Sequence, residues 1–337
     1  MTEEEVKLRR LSGQHLLHKA DGQAVVKDLC GVQAQFMANA IHALDIRCEA
    51  VSPEGLVKNW TLRGTIHVFS KEDLPLFIDR YRLDDWSVPT WWNQRSDWAL
   101  TPARQKYLSE VILDALSDAP MEREALKAVC RNAGMTQAEE GSMFHPWGGG
   151  IRELCERGFI HYAVEERKVF CLTPEFTPMS REDAKLELAR RYFTHFGPAT
   201  VKDAAYFFGI TQSAVKKLLP SLPVSPCEHG SKTYFYIDCG CLPDRGMPRC
   251  LFLAGFDQLM LGYDKKESLF LPQEHLRDIF NLAGIVYPAV LVDGTVVGRW
   301  KKSGRKLTVT LFSPASKSMI ADAAGELWND IRQISFD

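Results

Sequence analysis

Hydrophobic side chains recur at helical spacing in three successive segments near the middle of the chain, which predicts three helices: residues 184–193, 200–208 and 211–219. The breaks between them fall at Gly197-Pro198 and at Gly209, which supply turn residues. Residues 222–237 then become β-prone around the turn sequence His229-Gly230-Ser231, which predicts a hairpin. Helix, helix, short turn, helix and hairpin together predict a winged helix.

The same order of patterns occurs twice before this segment. The second copy has helical periodicity at 108–116, 122–131 and 151–157, followed by two β-prone runs at 159–164 and 168–172. The first copy has predicted helices at 13–19, 24–30 and 36–47, followed by an extended stretch at 64–69. We therefore predict three tandem winged-helix modules.

Beyond residue 241 the pattern becomes strand-rich. Strands are predicted at 249–254, 289–292, 296–300 and 307–312, with turns at Asp293-Gly294 and Ser303-Gly304 and a closing helix at 317–331. We predict a helix-dominated α+β fold with a barrel-like C-terminal region. The predicted domains are 1–100, 101–178, 179–240 and 241–337.

Composition and charge limit the choice of partners. The 337 residues carry 41 Lys and Arg against 43 Asp and Glu, so the overall charge of −2 gives no reason to expect nucleic-acid binding. A local patch does. Five basic residues accompany Trp300 without an acidic one: Arg299, Lys301, Lys302, Arg305 and Lys306. This ribbon predicts contact with DNA phosphates, and its alternative interpretation is a charged sheet edge that prevents aggregation.

The cysteines indicate a reduced protein rather than a disulfide framework. Nine are scattered along the chain, and the sequence has neither a signal segment nor a long apolar run, so we expect a cytoplasmic location. One group is dense enough to be considered for zinc: Cys227, His229, Cys239, Cys241 and Cys250. It lacks the paired spacing of zinc sites, so we predict no metal.

Four strings, in this order and spacing, resemble the AlkZ/YcaQ-type winged-helix DNA glycosylases: LCGVQAQF at 29–36, LRGTIHV at 62–68, LAGFDQLMLGY at 253–263 and VDGTVVGRW at 292–300. The resemblance implies a bacterial base-excision enzyme that removes alkylated purines and, in the AlkZ branch, unhooks interstrand crosslinks. The family motif of glutamine, any residue, then glutamine or aspartate corresponds to Gln33-Ala34-Gln35. The resemblance therefore implies that Gln33 and Gln35 are catalytic, in the double-glutamine branch.

Geometry allows this role only if the two glutamines are not on a continuous helix. Residues two apart on an α-helix point about 200° away from each other, whereas alternate residues of extended chain point the same way. If the preceding helix ends near Cys30 and Gly31 forms the turn, both carboxamides could face one pocket. Without the resemblance, the simpler interpretation is two solvated turn residues.

A carboxamide has no useful proton affinity near neutral pH, so it cannot act as a strong base, but it can position a water. That suffices when the leaving base already carries a positive charge, as an N-alkylated purine does. Since neither residue is lysine, we expect a monofunctional enzyme without a Schiff-base step. The chemistry requires no cofactor.

Two further residues in the second string are candidate DNA contacts. Arg63 is a candidate phosphate ligand or a surface ion-pair partner, and His67 is a candidate DNA contact or a packed, hydrogen-bonded core residue. The partner predicted from all these features is double-stranded DNA carrying alkylated purines. We expect the protein to bind it as a monomer, in association with the nucleoid, and we expect no membrane binding.

Two other functions fit the sequence. A non-enzymatic winged-helix regulator or lesion sensor would bind DNA without releasing a base. A scaffold that uses winged helices for protein contacts would not depend on the basic ribbon.

Overall fold

Two segments distant in the sequence, Met1–Ser52 and Leu186–Asp337, form the first of two structural units, and the continuous segment Pro53–Lys185 forms the second. The computed structural model describes residues 1–78, 81, 83, 85–238, 240 and 245–337. Cys239 and Cys241, considered above for zinc, lie outside the described residues. The four predicted sequence domains stay a prediction.

The N-terminal part of the first unit contains three helices and a short strand: α1 (Glu3–Gly13), α2 (Gly22–Asp28), β1 (Val32–Gln33) and α3 (Met37–Asp45). The prediction of a first helix at 13–19 is wrong, because α1 ends where that helix should begin. A capping box fixes the start of α1: the Thr2 side chain accepts from the Glu5 amide and the Glu5 carboxylate accepts from the Thr2 amide. The acidic start of the chain is therefore a helix cap.

The second unit contains five helices and five strands among its described residues: β2 (Leu56–Trp60), β3 (Ile66–Ser70), α4 (Leu74–Phe77), α5 (Pro102–Asp118), β4 (Met121–Glu122), α6 (Arg123–Asn132), α7 (Gln137–Met143), α8 (Gly150–Glu156), β5 (Ile160–Tyr162) and β6 (Val169–Leu172). Its strands are hydrogen-bonded in the order β3-β2-β5-β6-β4. Apolar faces of α5, α6 and α8 meet in its core, where Leu108, Leu126 and Leu154 are fully buried. The predicted second set of helices and hairpin is confirmed, and α7 is an additional helix.

The third predicted copy is present element by element: α9 (Arg181–His195), α10 (Val201–Phe208), α11 (Gln212–Leu218), and the hairpin β7 (Ser225–His229) and β8 (Lys232–Tyr236). Thr200 and Asp203 form the predicted capping box of α10. Gly209 ends that helix in the left-handed region at φ 66°, and the Thr211 side chain caps α11.

The C-terminal part adds strands and short helices: β9 (Cys250–Leu253), α12 (Gln258–Leu261), α13 (Leu276–Ile279), β10 (Ala289–Val292), β11 (Thr295–Ser303), β12 (Lys306–Leu311), α14 (Lys317–Leu327) and β13 (Gln333–Phe336). The five strands form one sheet in the order β13-β12-β11-β10-β9. Both hairpin turns are confirmed, but β9 and β13 are free edges within the described residues, so the sheet is open and not barrel-like. The last helix ends at Leu327, a loop replaces its predicted final turn, and the parallel strand β13 follows that loop.

These elements confirm a mixed α+β fold with more helix than strand. No helix among the described residues has the length and apolar character needed to cross a bilayer. In the C-terminal part, α14 packs Ile320 and Ala324 onto the sheet beside Phe252 and Val290.

A fully buried ion pair joins those N-terminal helices to the C-terminal part of the first unit. Arg47, two residues beyond α3, donates to both carboxylate oxygens of Asp257 at 3.0 and 2.7 Å, and both side chains are 0% exposed. Arg47 also donates to the backbone carbonyls of Gln14 and Ala43. The guanidinium is thus satisfied from three directions, which a buried charge requires.

We expect Asp257→Ala to lower the free energy of unfolding by about 3–5 kcal/mol, because it leaves the Arg47 charge buried without its counter-ion. Urea denaturation followed by circular dichroism measures this change. The control is Asp330→Ala, which breaks an exposed pair with Lys302 and should cost under about 1 kcal/mol. An equal decrease in the free energy of unfolding in the two variants would contradict the larger contribution of the buried pair.

Candidate functional site

The chain reverses direction immediately before the two glutamines. Helix α2 ends at Asp28, and Cys30 and Gly31 both adopt left-handed backbone, with φ of 53° and 83°. Glycine takes this conformation without steric cost, whereas Cys30 pays roughly 1–2 kcal/mol for it. The predicted end of the helix near Cys30, with a turn at Gly31, is confirmed.

Gln33 and Gln35 lie in the connection that follows this turn and precedes α3. Gln33 belongs to the short strand β1, and Gln35 comes two residues before the first residue of α3. Neither residue is part of a helix. This is the geometric condition under which both glutamines could share a catalytic role. Their surroundings differ, because Gln33 is only 7% exposed while Gln35 is exposed. A common pocket for both carboxamides stays a prediction.

Exposed aromatic surface lies next to Gln35. Phe36 is 48% exposed, occupies the N-cap position of α3, and stacks on Phe256 with ring centroids 5.9 Å apart. A half-exposed ring held by a second ring presents a flat apolar face on which a base can stack.

Residues of the string at 253–263 contact the turn and the helix on either side of the glutamine-bearing connection. The Gln258 side-chain amide donates to the Gly31 carbonyl, which fixes the turn. Gly255 lies so close to α3 that a Cβ there would come within 2.8 Å of the Asn39 side chain. The string at 253–263 carries part of the family resemblance, but the sequence indicates no role for its residues. The contacts of Gln258 and Gly255 show that it positions the turn and α3.

Helix α3 also packs on the C-terminal sheet through an aromatic cluster. The His42 Nε2–H donates to the Phe252 carbonyl at 2.7 Å, and its ring lies 4.8 Å from Trp300 and 5.6 Å from Trp328. Burial lowers the pKa of His42, which favours the neutral ring among these aromatic side chains. Trp300, predicted to contact DNA, thus also has a packing role, and its indole N–H donates to Leu253.

The basic ribbon forms the hairpin of β11 and β12 in the same unit. Lys301 and Arg305 are exposed, whereas Lys302 pairs with Asp330 at 2.9 Å and the Arg299 guanidinium lies 5.2 Å from the Tyr287 ring centroid. Asp330 offsets part of the charge of +5 that the five basic residues give the ribbon. Lys301, Arg305 and Lys306 are therefore the exposed cations of the ribbon that a polyanion can reach.

Arg63 and His67 belong to the second unit. Arg63 has a positive φ of 55° in a turn between β2 and β3 and is partly exposed. His67 lies on β3 and is 1% exposed, with Nδ1 2.8 Å from the Thr61 hydroxyl and 3.2 Å from the Thr65 carbonyl. Burial, assisted by the neighbouring Arg63 charge, lowers the pKa of His67 to about 3. The structure thus places His67 in the packed, hydrogen-bonded environment that the sequence offered as the alternative to DNA contact.

Comparisons with known proteins cover almost the whole chain. The profile of the family described as "DNA glycosylase AlkZ-like" matches residues 26–329. The Streptomyces sahachiroi protein named "Interstrand DNA cross-link repair glycosylase" is 24% identical over an alignment 321 residues long, which covers 86% of this chain and 84% of that protein.

The solved structure described as "Streptomyces sahachiroi DNA glycosylase AlkZ" is similar in fold. Its TM-score is 0.79 at 20% sequence identity, and the match covers 100% of this chain and 99% of the other. The matched residues of the profile include both glutamines, the string at 253–263 and the basic hairpin.

The depressed pKa of His67 predicts a pH-dependent stability. A folded-state pKa of about 3 lies below the unfolded value near 6.5, so the unfolded chain binds more protons between these values and stability falls as the pH drops through this window. Between pH 7 and pH 5 we expect the wild type to lose roughly 2 kcal/mol more than His67→Gln. Urea denaturation at both pH values measures the difference, and parallel losses in the two proteins would exclude the buried neutral imidazole as its source.

Proposed function

Because the chain belongs to the DNA glycosylase AlkZ-like family, whose model matches residues 26–329, we propose that this DNA glycosylase hydrolyses the N-glycosidic bond of cationic, N-alkylated purines in double-stranded DNA. The observation that carries the proposal is the exposed carboxamide of Gln35, held at the start of α3 beside the half-exposed ring of Phe36.

Gln35 acts by positioning rather than by proton transfer. Its carbonyl oxygen accepts a hydrogen bond from a water, which places that water for attack on the sugar C1′ carbon. The C1′–N bond breaks as the water oxygen bonds to C1′, the alkylated base leaves as a neutral molecule with the bonding electron pair, and the water releases its proton to solvent. The reaction proceeds through an oxocarbenium-like state that the positive charge on the base makes accessible.

Gln33 contributes from a buried position. A carboxamide that is almost fully enclosed loses little conformational freedom when it forms a hydrogen bond, so its donor and acceptor stay in a fixed orientation. We assign two roles to Gln33. It maintains the conformation of the connection, and it forms a hydrogen bond with a sugar or base atom next to Gln35. Both assignments predict a monofunctional enzyme, because neither residue offers an amine for a Schiff base.

Interstrand crosslinks are the second substrate class we propose. The relative from Streptomyces sahachiroi is named for interstrand cross-link repair. A base tethered to the opposite strand cannot be rotated into a deep pocket, so an enzyme that acts on it needs its water-positioning group near the surface. The exposure of Gln35 supports this extension.

The remaining proposals concern the framework around the site. We propose three winged-helix modules within 1–100, 101–178 and 179–240. We also propose DNA contact by the hairpin through Arg299, Trp300, Lys301, Lys302 and Arg305, and a phosphate contact by Arg63 of the second unit. His67, which is 1% exposed, is left out of the proposed contacts. We propose that a monomer acts on DNA in the cytoplasm, at the nucleoid. The repeated order of helices and hairpins supports the modules, and the exposed cations Lys301 and Arg305 support the hairpin contact.

We expect Gln35→Ala to lower the rate of base release from an N7-methylguanine duplex about 100-fold, because the attacking water loses its positioning group. Single-turnover assays of free-base release measure the rate, and an electrophoretic mobility assay should show unchanged duplex binding. Gln212→Ala is the matched control, since Gln212 is an exposed glutamine at the start of α11 in the same unit. Undiminished release by Gln35→Ala would refute the catalytic assignment.

The hairpin makes a separate prediction about salt dependence. Each phosphate contact contributes about −0.9 to the slope of log K against log salt concentration. The double variant Lys301→Ser/Arg305→Ser should therefore bind an undamaged duplex more weakly, with a slope reduced in magnitude by about 2. Fluorescence anisotropy at several salt concentrations measures both, with Lys106→Ser, an exposed lysine on α5, as control. An unchanged slope would remove the hairpin from the DNA interface.

A further inference from the structure

Three potential metal ligands meet where three helices of the first unit end. His15 follows α1, Asp28 is the last residue of α2, and His195 is the last residue of α9. Their ligand atoms all lie within 4.8 Å of one another. Two imidazoles and one carboxylate form a ligand set typical of divalent transition metals.

The two shorter distances between the ligand atoms are slightly below those expected around a bound metal ion. The carboxylate oxygens of Asp28 are 2.8 Å from His15 Nε2 and 3.1 Å from His195 Nε2. Ligands placed about 2.1 Å from a tetrahedral metal lie about 3.4 Å apart, so a small outward movement of these side chains would admit an ion. The three side chains are 18%, 25% and 18% exposed, which leaves a path for the ion and room for a water as fourth ligand.

The hydrogen bond on the other side of His195 determines which of its nitrogens carries a proton. His195 Nδ1 lies 3.2 Å from the Gly13 carbonyl, and a carbonyl can only accept, so Nδ1 is the protonated nitrogen. In a neutral ring, Nε2 then presents its lone pair to the Asp28 carboxylate. A lone pair facing an anion at 3.1 Å requires a cation between them, either a proton or a metal ion.

The site is held rigidly by backbone contacts. A Cβ on Gly13 would lie 2.5 Å from the His195 carbonyl oxygen, so the ends of α1 and α9 touch and only glycine fits there. His15 is kept in a left-handed conformation at φ 58°. A carbonyl that accepts from the outer nitrogen of a ligating histidine is a frequent feature of metal sites, because it orients the ring and fixes its tautomer.

We propose that His15, Asp28 and His195 bind one divalent transition-metal ion, of which Zn²⁺ is the representative, through the two Nε2 atoms and the Asp28 carboxylate. The ion replaces the proton that the His195–Asp28 contact otherwise requires. It links the ends of α1, α2 and α9 and fixes Asp28 five residues before Gln33. Its role is structural, and the proposal does not depend on the reaction proposed above.

Isothermal titration of metal-free protein with ZnCl₂ tests the site. We expect one equivalent to bind the wild type, and Asp28→Asn and His195→Gln each to weaken that binding at least tenfold. His275→Gln is the matched control, because His275 pairs with Asp278 elsewhere in the same unit. The melting temperature of the wild type and of the control should rise with ZnCl₂, and that of the two site variants should not.

Cobalt(II) separates this site from the cysteines. Binding at two imidazoles and a carboxylate produces no thiolate-to-metal charge-transfer band, whereas binding at cysteine does. The proposal is overturned if the wild type binds no equivalent of Zn²⁺, if the site variants bind as tightly as the control, or if the bound Co²⁺ shows the thiolate band. Circular dichroism of each variant establishes that a loss of binding occurs in folded protein.

Discussion

The bidentate contact between Arg47 and Asp257 is the constraint on which the first unit depends. Both charges are removed from water, so each is tolerable only while the other is in place. The contact brings the end of α3 to the start of α12, where Asp257 also caps the helix. The next residue, Gln258, holds the Gly31 carbonyl. One buried ion pair thereby sets the position of the connection that carries Gln33 and Gln35.

A site built from neutral side chains needs this support more than a charged one does. A carboxylate or imidazole contributes proton affinity wherever a substrate reaches it, whereas a carboxamide contributes through its placement. The contacts of Gln258, Gly255 and Phe256 with the turn, Asn39 and Phe36 provide that placement. They also give a physical reason for the sequence string at 253–263, which lies more than 200 residues from the glutamines it supports.

Local signals predicted the elements well because local physics determines them. The capping box at Thr200, the left-handed Gly209 and the turns at Asp293-Gly294 and Ser303-Gly304 specify their own neighbourhood, and the structure has each of them. The predicted first helix differs from α1 because the capping box of Thr2 and Glu5 starts the helix at Glu3, ten residues earlier. Long-range features escaped the sequence: β13 pairs in parallel with β12, and the catalytic candidates differ in burial although they are two residues apart. The strand pairing joins Lys306 to Gln333 across an intervening helix, and the support of the glutamine-bearing connection comes from Gln258, more than 200 positions away.

The division of the first unit between the two ends of the chain has a consequence for biosynthesis. Arg47 emerges from the ribosome 210 residues before Asp257, an interval of about 10–40 s at ordinary rates of translation. During that interval the arginine has no counter-ion and α3 has no sheet to pack on, so Met1–Ser52 cannot reach its final conformation. The continuous segment Pro53–Lys185 has all its own contacts by then. The segment Pro53–Lys185 can therefore fold before the first unit is complete, and the connection that carries Gln33 and Gln35 can reach its final position only after Asp257 and Gln258 have been synthesised.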